Sequence, residues 1–258
     1  MAKTWKTIAF SAVLVTASAL AAQAQMADPA MVAKGKALFS DNKISGSGTV
    51  TCAQCHPNNG HTDNKTYVGL DVVPDGTPAG RSTPTLWGAG TRSVYAWAGT
   101  APTLEGNIRG IIVNRMKGAE PSPDTLAALA AYVRSLTPPK NANIGADGTP
   151  SDKASAAVKR GFELFIGEGG CGTCHTLPSF DKAETEDVGT GAAGAAAKFK
   201  VPALRAVSQT APYFADGRYK TLAETVKYMW EFQTKKAGNP SSPTAAQTKD
   251  LVAYLDAL

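Results

Sequence analysis

The sequence has few of the side chains that most often carry out acid–base and metal chemistry. It holds three histidines and four cysteines in 258 residues. All four cysteines fall in two Cys-x-x-Cys-His motifs, residues 52–56 and 171–175, so none is left for a structural disulfide. Long runs of one charge are also missing, and the formal net charge is only +5. This weak charge argues against nucleic-acid binding and against a strongly basic membrane-binding face.

The N-terminus has the pattern of a secretory signal. Lys3 and Lys6 precede an uncharged stretch, Thr7–Ala24, that ends in an A-x-A cleavage signature. A retained membrane anchor is the alternative, but the apolar core, Ile8–Leu20, is shorter than the roughly 20 residues that a spanning helix needs. We predict that residues 1–24 are a cleaved signal peptide. The mature chain is then an exported, soluble protein of the periplasm without a transmembrane segment.

The second half of the chain repeats the first at an offset of about 120 residues. Residues 139–150 separate the halves and are rich in proline, glycine and small polar residues, as is typical of a linker. We therefore predict an N-terminal domain over residues 25–138 and a C-terminal domain over residues 151–258. The matching segments are Gly35–Phe39 with Gly161–Phe165, Thr83–Leu86 with Val201–Leu204, Pro102–Glu105 with Lys220–Ala223, and Leu129–Val133 with Leu251–Leu255.

Each Cys-x-x-Cys-His motif is typical of covalent haem c attachment. The two intervening residues let both sulfurs reach the vinyl groups on one porphyrin edge, and the adjacent histidine then lies under the iron. Two thioredoxin-like redox sites, or one four-thiolate zinc site, explain the cysteines but not a histidine in both copies. The predicted thioether residues are Cys52, Cys55, Cys171 and Cys174, and the predicted proximal iron ligands are His56 and His175.

The apolar spacing of the segments outside the motifs favours helices. Leu126, Leu129 and Val133 recur at helical intervals, and the C-terminal segment that ends at Leu258 has the same spacing. No segment alternates convincingly as a strand does. We predict a mainly α fold of two tandem class-I-cytochrome-c-like domains, each enclosing one covalent haem c.

The sixth iron ligand decides between electron transfer and chemistry on a bound molecule. Beyond the motifs, His61 is the only histidine left. Met116 and Met229 lie inside the two predicted domains, and Met26 and Met31 lie near the start of the mature chain. A thioether ligand favours ferrous iron and raises the reduction potential.

The sequence resembles the di-haem bacterial cytochrome c peroxidases and their MauG-like relatives over most of the mature chain. In the N-terminal half the similar segments are Gly60–Asn64 and Tyr95–Gly99. The strongest similarity lies in the C-terminal half, over Phe199–Arg205, Thr210–Gly217 and Thr221–Met229.

This resemblance implies roles for several residues. Met229 matches the sixth ligand of the C-terminal, high-potential haem, with helix packing as the alternative. Trp97 matches the tryptophan between the two haems and is a candidate electron path, with ordinary burial as the alternative. The family also holds a calcium ion between its domains. Thr210 and Pro212 match two of its ligand positions, while Ser82 replaces an asparagine ligand.

The N-terminal half departs from the peroxidase pattern. Leu70 lies near the position of the family's displaceable distal histidine, and Asn107 and Lys117 replace its glutamine and glutamate. Peroxide cleavage needs an open iron and a group that moves a proton. We hypothesise that Met116 is the sixth ligand of the first haem; the alternatives are a core methionine at this position and ligation by His61.

These losses favour one function over two others. We expect a periplasmic electron carrier that passes single electrons from a redox-enzyme donor to a protein acceptor. The alternative is a di-haem peroxidase or MauG-like oxidase that reacts with hydrogen peroxide at the N-terminal haem. A ligand-sensing haem protein is the third candidate.

Overall fold

The computed structural model describes residues 28–72, 78–190 and 198–258. The predicted signal peptide, residues 1–24, lies outside these ranges. The fold is mainly helical, as predicted. In the part of the chain that is described, no helix is both long and apolar enough to cross a membrane.

Eight helices and four short strands follow one another in the described ranges. The helices are α1 (Pro29–Phe39), α2 (Cys52–Cys55), α3 (Pro57–Gly60), α4 (Leu104–Gly110), α5 (Pro123–Ser135), α6 (Ala156–Ile166), α7 (Leu222–Lys236) and α8 (Ala245–Ala257). The strands are β1 (Thr66–Val72), β2 (Pro78–Ser82), β3 (Thr185–Glu186) and β4 (Phe199–Lys200). β1 pairs antiparallel with β2, and β3 pairs antiparallel with β4.

The N-terminal half is organised by the crossing of α1 on α5. Gly35 makes this crossing close, because a Cβ at that position would lie 1.9 Å from the carbonyl oxygen of Ala128. Phe39 packs edge-on against Tyr132, with 5.1 Å between the ring centroids. Both rings belong to one buried apolar cluster, which also contains Leu129 from α5.

The C-terminal half repeats this crossing with α6 on α8. A Cβ at Gly161 would lie 2.0 Å from the carbonyl oxygen of Asp250. Phe165 packs edge-on against Tyr254 at 5.4 Å, as Phe39 does against Tyr132. The internal repeat in the sequence therefore corresponds to a repeated helix crossing around a second apolar cluster.

The predicted linker packs against the C-terminal half. Ile144 forms a bridge with Pro150 and belongs to the C-terminal apolar cluster. The Tyr254 hydroxyl donates a hydrogen bond to the Gly148 carbonyl at 2.8 Å. Residues 139–150 are thus tied to the second half at more than one point.

The two halves meet through backbone hydrogen bonds. The Ser82 amide at the end of β2 donates to the Ala215 carbonyl at 2.8 Å, and the Lys200 amide on β4 donates to the Trp97 carbonyl at 2.8 Å. Each of these bonds joins a segment that follows the first haem motif to one that follows the second.

Candidate haem sites

The first motif begins as a single capped helical turn. Thr51 caps α2, and its side chain and that of Gln54 form a reciprocal capping box. The two thiols, Cys52 and Cys55, are half-buried and unpaired. Burial raises the pKa of the Cys52 thiol to about 11. The two thiols stand one helical turn apart, as covalent attachment to one porphyrin edge requires.

His56 directly follows this turn. Burial lowers its pKa to about 4, so the imidazole is neutral, which is the form that ligates iron. Its Nδ1 is buried and has no hydrogen-bond partner among the described residues.

The second motif is held by a turn that starts from Gly170, whose φ is +61°. Burial raises the pKa of the Cys171 thiol to about 12. Burial also lowers the pKa of His175. The Nδ1 of His175 lies 2.8 Å from the carbonyl oxygen of Phe180. That contact fixes the ring orientation and leaves Nε2 for the iron.

The donor sets of the two motifs fit two covalent haem c groups. Each offers two unpaired thiols with two residues between them and one half-buried imidazole whose pKa is lowered by burial. No other cluster of three or more histidine, cysteine or acidic side chains that could hold a metal occurs in the described ranges.

Met229 lies in the middle of α7, and its position differs from that of an ordinary core residue. The side chain is half-buried and belongs to neither apolar cluster. Tyr228, the residue before Met229, is held in place by two contacts. Its hydroxyl donates to the Val188 carbonyl at 2.5 Å, and its ring packs edge-on against Phe214 with 5.4 Å between the centroids. The thioether of Met229 therefore has no core-packing role that would prevent it from ligating iron.

The corresponding helix in the N-terminal half has no methionine at this position. Thr103 caps α4 and Thr221 caps α7 in the same way, through a side-chain bond to the third helical amide. The residue seven positions after the first residue of each helix is Ile111 in α4 and Met229 in α7. At Ile111 the N-terminal helix changes to a π-helical turn, Ile111–Arg115. Such turns are frequent at functional sites.

Met116 follows this π-helical turn and is packed as a core residue. It is 9% exposed and belongs to the N-terminal apolar cluster with Ile112. Its amide donates to the Ile111 carbonyl at 2.9 Å, and its carbonyl accepts from the Gly46 amide at 2.9 Å. Its surroundings therefore differ from those of Met229.

His61 is 6% exposed, and both of its ring nitrogens are in hydrogen-bond contacts. Nδ1 lies 3.2 Å from the Thr85 hydroxyl, and Nε2 lies 3.1 Å from the carbonyl oxygen of Gln209 in the other half. The ring stacks on Trp87 with 4.1 Å between centroids. This geometry gives His61 a structural position between the halves, with no nitrogen left for iron.

The residues that replace the family's distal groups lie on three different segments. Leu70 lies on β1, Asn107 is half-buried on α4, and Lys117 is exposed with a φ of +55°. Of these three, the Asn107 amide is the one that is both polar and partly shielded from solvent.

Trp97 lies where the two halves meet. Its indole Nε1 donates to the Ser82 carbonyl at 2.9 Å, and its own carbonyl accepts from the Lys200 amide. The ring is half-buried. It is therefore held by one residue from each half of the chain.

The predicted calcium position is occupied by hydrogen bonds. The Pro212 carbonyl accepts from the Ser82 hydroxyl at 3.1 Å. The Asn64 amide group donates to the carbonyls of Ala211 at 2.6 Å and Gln209 at 3.0 Å, on either side of Thr210. The carbonyls of Gln209, Ala211 and Pro212 are thus engaged by side chains of the other half, and calcium at this loop stays a prediction.

Sequence reasoning missed the interdomain role of Asn64 and two cations, the half-buried Arg92 and the buried Lys200. Asn64 has a φ of +58°, a conformation that asparagine adopts more readily than most residues. A lysine inside the apolar segment Phe199–Val201 was the available signal for a buried cation.

Comparisons with known proteins agree with two haem domains. The di-haem cytochrome c peroxidase family model matches residues 29–137, and the cytochrome c model matches residues 158–258. The methylamine utilization protein MauG of Methylorubrum extorquens is 28% identical, over 89% of this chain and 78% of the relative. The cytochrome-c peroxidase IdrP1 of Denitromonas iodatirespirans is 26% identical, over 88% and 81%.

A hydrazine synthase structure from Kuenenia stuttgartiensis has the same fold. Its TM-score is 0.70 at 23% identity, and the match covers 90% of this chain and 88% of that one. At 23% identity, this similarity shows a shared fold and says nothing about a shared function. The two named sequence relatives are a MauG protein and a peroxidase, so they favour the enzymatic alternative over the electron-carrier prediction.

Proposed function

We propose that this chain, which matches the di-haem cytochrome c peroxidase and cytochrome c family models and resembles a MauG protein, is an enzyme that reacts with hydrogen peroxide at the haem bound by His56. The haem bound by His175 then serves as the electron-transfer partner. This was the alternative to the electron carrier that the sequence favoured.

The observation that carries this proposal is the difference between Ile111 and Met229. Each stands seven positions after the first residue of a helix that a threonine caps in the same way, but isoleucine has no lone pair with which to ligate iron. Met116 packs in the core, and the ring nitrogens of His61 are both engaged. The contacts of Met116 and His61 therefore support an iron whose sixth position is open in the N-terminal half.

A haem iron with an open sixth position supplies the chemistry of peroxide binding and two-electron oxidation. The chain supplies the surroundings. His56, half-buried and with a pKa lowered to about 4, would hold the iron through its neutral imidazole. The half-buried Asn107 amide on α4 is the candidate group to hydrogen-bond a bound peroxide, since it occupies the position of the family's glutamine.

Trp97 is the proposed electron path between the two sites. Its indole nitrogen donates a hydrogen bond to the Ser82 carbonyl in the N-terminal half. Its own carbonyl accepts one from the Lys200 amide on β4 of the C-terminal half. These bonds hold the aromatic ring at the contact between the halves. We propose that electrons from a redox-protein donor enter at the C-terminal haem, which His175 and Met229 ligate, and pass along this ring. The secretory pattern of residues 1–24 supports a periplasmic location.

The substitution Ile111→Met tests the open-site proposal in the holoprotein. It puts a thioether at the position that Met229 has in the other half. We expect the variant to gain a second iron-to-thioether charge-transfer band and to lose most of its peroxide consumption. Ile108→Met, on the same helix and also half-buried, is the matched control and should keep the wild-type spectrum and rate.

If the protein is an electron carrier, both haems of the wild type already have a thioether as sixth ligand. A wild-type protein that already shows two thioether bands, and does not consume peroxide when half-reduced, contradicts the proposal. If Met116→Leu then removes one band and creates peroxide reactivity, Met116 is the sixth ligand that we first hypothesised.

A further inference from the structure

Two cations lie where the halves meet, Lys200, which is buried, and Arg92, which is half-buried with a buried Nε. Arg92, in the N-terminal half, donates from Nη2 to the Trp87 carbonyl at 3.1 Å. Its Nε is buried and has no hydrogen-bond partner in the described ranges. A buried guanidinium nitrogen without an acceptor is costly, so its position points to an acceptor supplied from elsewhere.

Lys200 brings the second positive charge, from β4 of the other half. It is 8% exposed, and its backbone is fixed by the bond to Trp97. Burial, and after it the nearby charge of Arg92, lower the pKa of Lys200 to about 8, while Asp181 opposes both effects. The ammonium and the guanidinium are therefore electrostatic neighbours.

The local charges do not balance. Asp181 is the acidic residue that acts on both cations, but neither Arg92 nor Lys200 takes part in the ion pairs found among the described residues. Two cations and one carboxylate leave an excess of one positive charge in this part of the described chain. Buried charges in proteins are normally paired, so this cluster has room for one more anion.

The cluster lies beside the second haem motif. Both Asp181 and Lys200 act electrostatically on the His175 imidazole. An anion bound between Arg92 and Lys200 is therefore close to the group that His175 holds.

We propose that Arg92 and Lys200 together bind one propionate carboxylate of the C-terminal haem. This inference rests on the two haem c groups and not on the peroxide reaction, so it holds or fails separately from the proposed function. A planar guanidinium and an ammonium are suited to a carboxylate. The contact draws one ligand from each half, and the positive charge stabilises the reduced haem and raises its reduction potential.

The test is the substitution Lys200→Met in the holoprotein, with resonance Raman spectra of the propionate bending modes and a redox titration. We expect one propionate mode to shift and one of the two midpoint potentials to fall. Lys198→Met is the matched control, because Lys198 lies two residues away and is exposed; it should leave both readouts unchanged. Lys200→Arg keeps the charge and should retain most of the wild-type potential.

The alternative is that a free anion from solvent, and not a haem propionate, binds between Arg92 and Lys200. If the site binds a solvent anion, acetate at constant ionic strength shifts the wild-type potential, which overturns the proposal. Unchanged propionate modes in Lys200→Met also overturn it. Should that variant fail to fold with haem, Arg92→Gln replaces it, with the same shift of one propionate mode expected and an unchanged spectrum as the contradicting result.

Discussion

The two halves of the molecule share one frame but hold their haem motifs differently. In each half a glycine brings the first helix against the backbone of the last, Gly35 on Ala128 and Gly161 on Asp250. The paired aromatic rings behind each motif are also equivalent. The helix frame is therefore duplicated almost without change.

The difference lies in the ligands and in what supports them. The carbonyl of Phe180, five residues after His175, orients that ring at 2.8 Å; the backbone of His61, five residues after His56, acts on the first ring, but without a hydrogen bond of ordinary geometry to its Nδ1. The helix with Met229 runs on through Lys236, while its counterpart gives way to a π-helical turn at Ile111. Under the proposed function, the haem frame is kept while the sixth ligand of the first haem is lost, and that loss separates electron transfer from chemistry on a bound molecule.

The largest expected effect comes from breaking the shared frame. Gly35→Ala and Gly161→Ala each put a methyl group about 2 Å from a backbone carbonyl oxygen, so the helices must move apart. We expect each variant to lose more than about 3 kcal/mol of unfolding free energy. Chemical denaturation of the holoprotein measures this loss. A clearly larger loss at one glycine than at the other would contradict the equivalence of the two crossings.

Gly110→Ala is the control for this pair. Gly110 is helical, and the nearest atom to a methyl group added there is 3.9 Å away, on Asn114. Alanine is the better helix former by about 0.5–1 kcal/mol. Stability should therefore stay the same or rise.

The next largest effect distinguishes Met229, the proposed iron ligand, from Met116, which packs in the core. Met229→Leu removes the proposed ligand from a half-buried position, so the thioether band should disappear and the potential of one haem should fall. Met116→Leu conserves volume in the core and should cost less than about 1.5 kcal/mol, without a change in the thioether band. Absorption spectra and thermal unfolding of both variants measure the contrast. An unchanged band in Met229→Leu would refute its assignment as a ligand.

Residue patterns predicted the parts of this molecule that depend on local spacing. The Cys-x-x-Cys-His motifs, the linker composition and the repeat of Gly35 and Gly161 are all visible in the chain. The core packing of Met116 and the hydrogen bonds of His61 were not visible in the sequence, because they depend on contacts with distant segments. Asn64 bonds to carbonyls some 145 residues away, and no local pattern encodes such a contact.

A smaller effect concerns the joint between the halves. Asn64→Ala removes two hydrogen bonds to the loop around Thr210, and Ser82→Ala removes one. We expect losses of about 1 kcal/mol for each hydrogen bond. Because these carbonyls are engaged by side chains, a chelator should leave the wild-type melting temperature and spectrum unchanged. A fall in either on chelation, restored by calcium, would contradict this account of the joint.

The smallest effect compares the ion pairs that brace the two helix crossings. Arg160 holds Asp250 through two hydrogen bonds at 2.7 and 2.8 Å, with the Asp250 side chain only 13% exposed, whereas Lys34 and Asp124 pair on an open surface. The Arg160 guanidinium lowers the pKa of Asp250 below its usual value. A lowered folded-state pKa gives stability that is present above the unfolded pKa and is lost as pH falls through the folded one. Asp250→Asn should therefore be less stable than wild type near neutral pH and equal to it in strong acid, while Asp124→Asn should change little at any pH. Denaturation midpoints across the acid range measure this difference, and equal pH profiles for the two variants would show that the two crossings are braced alike.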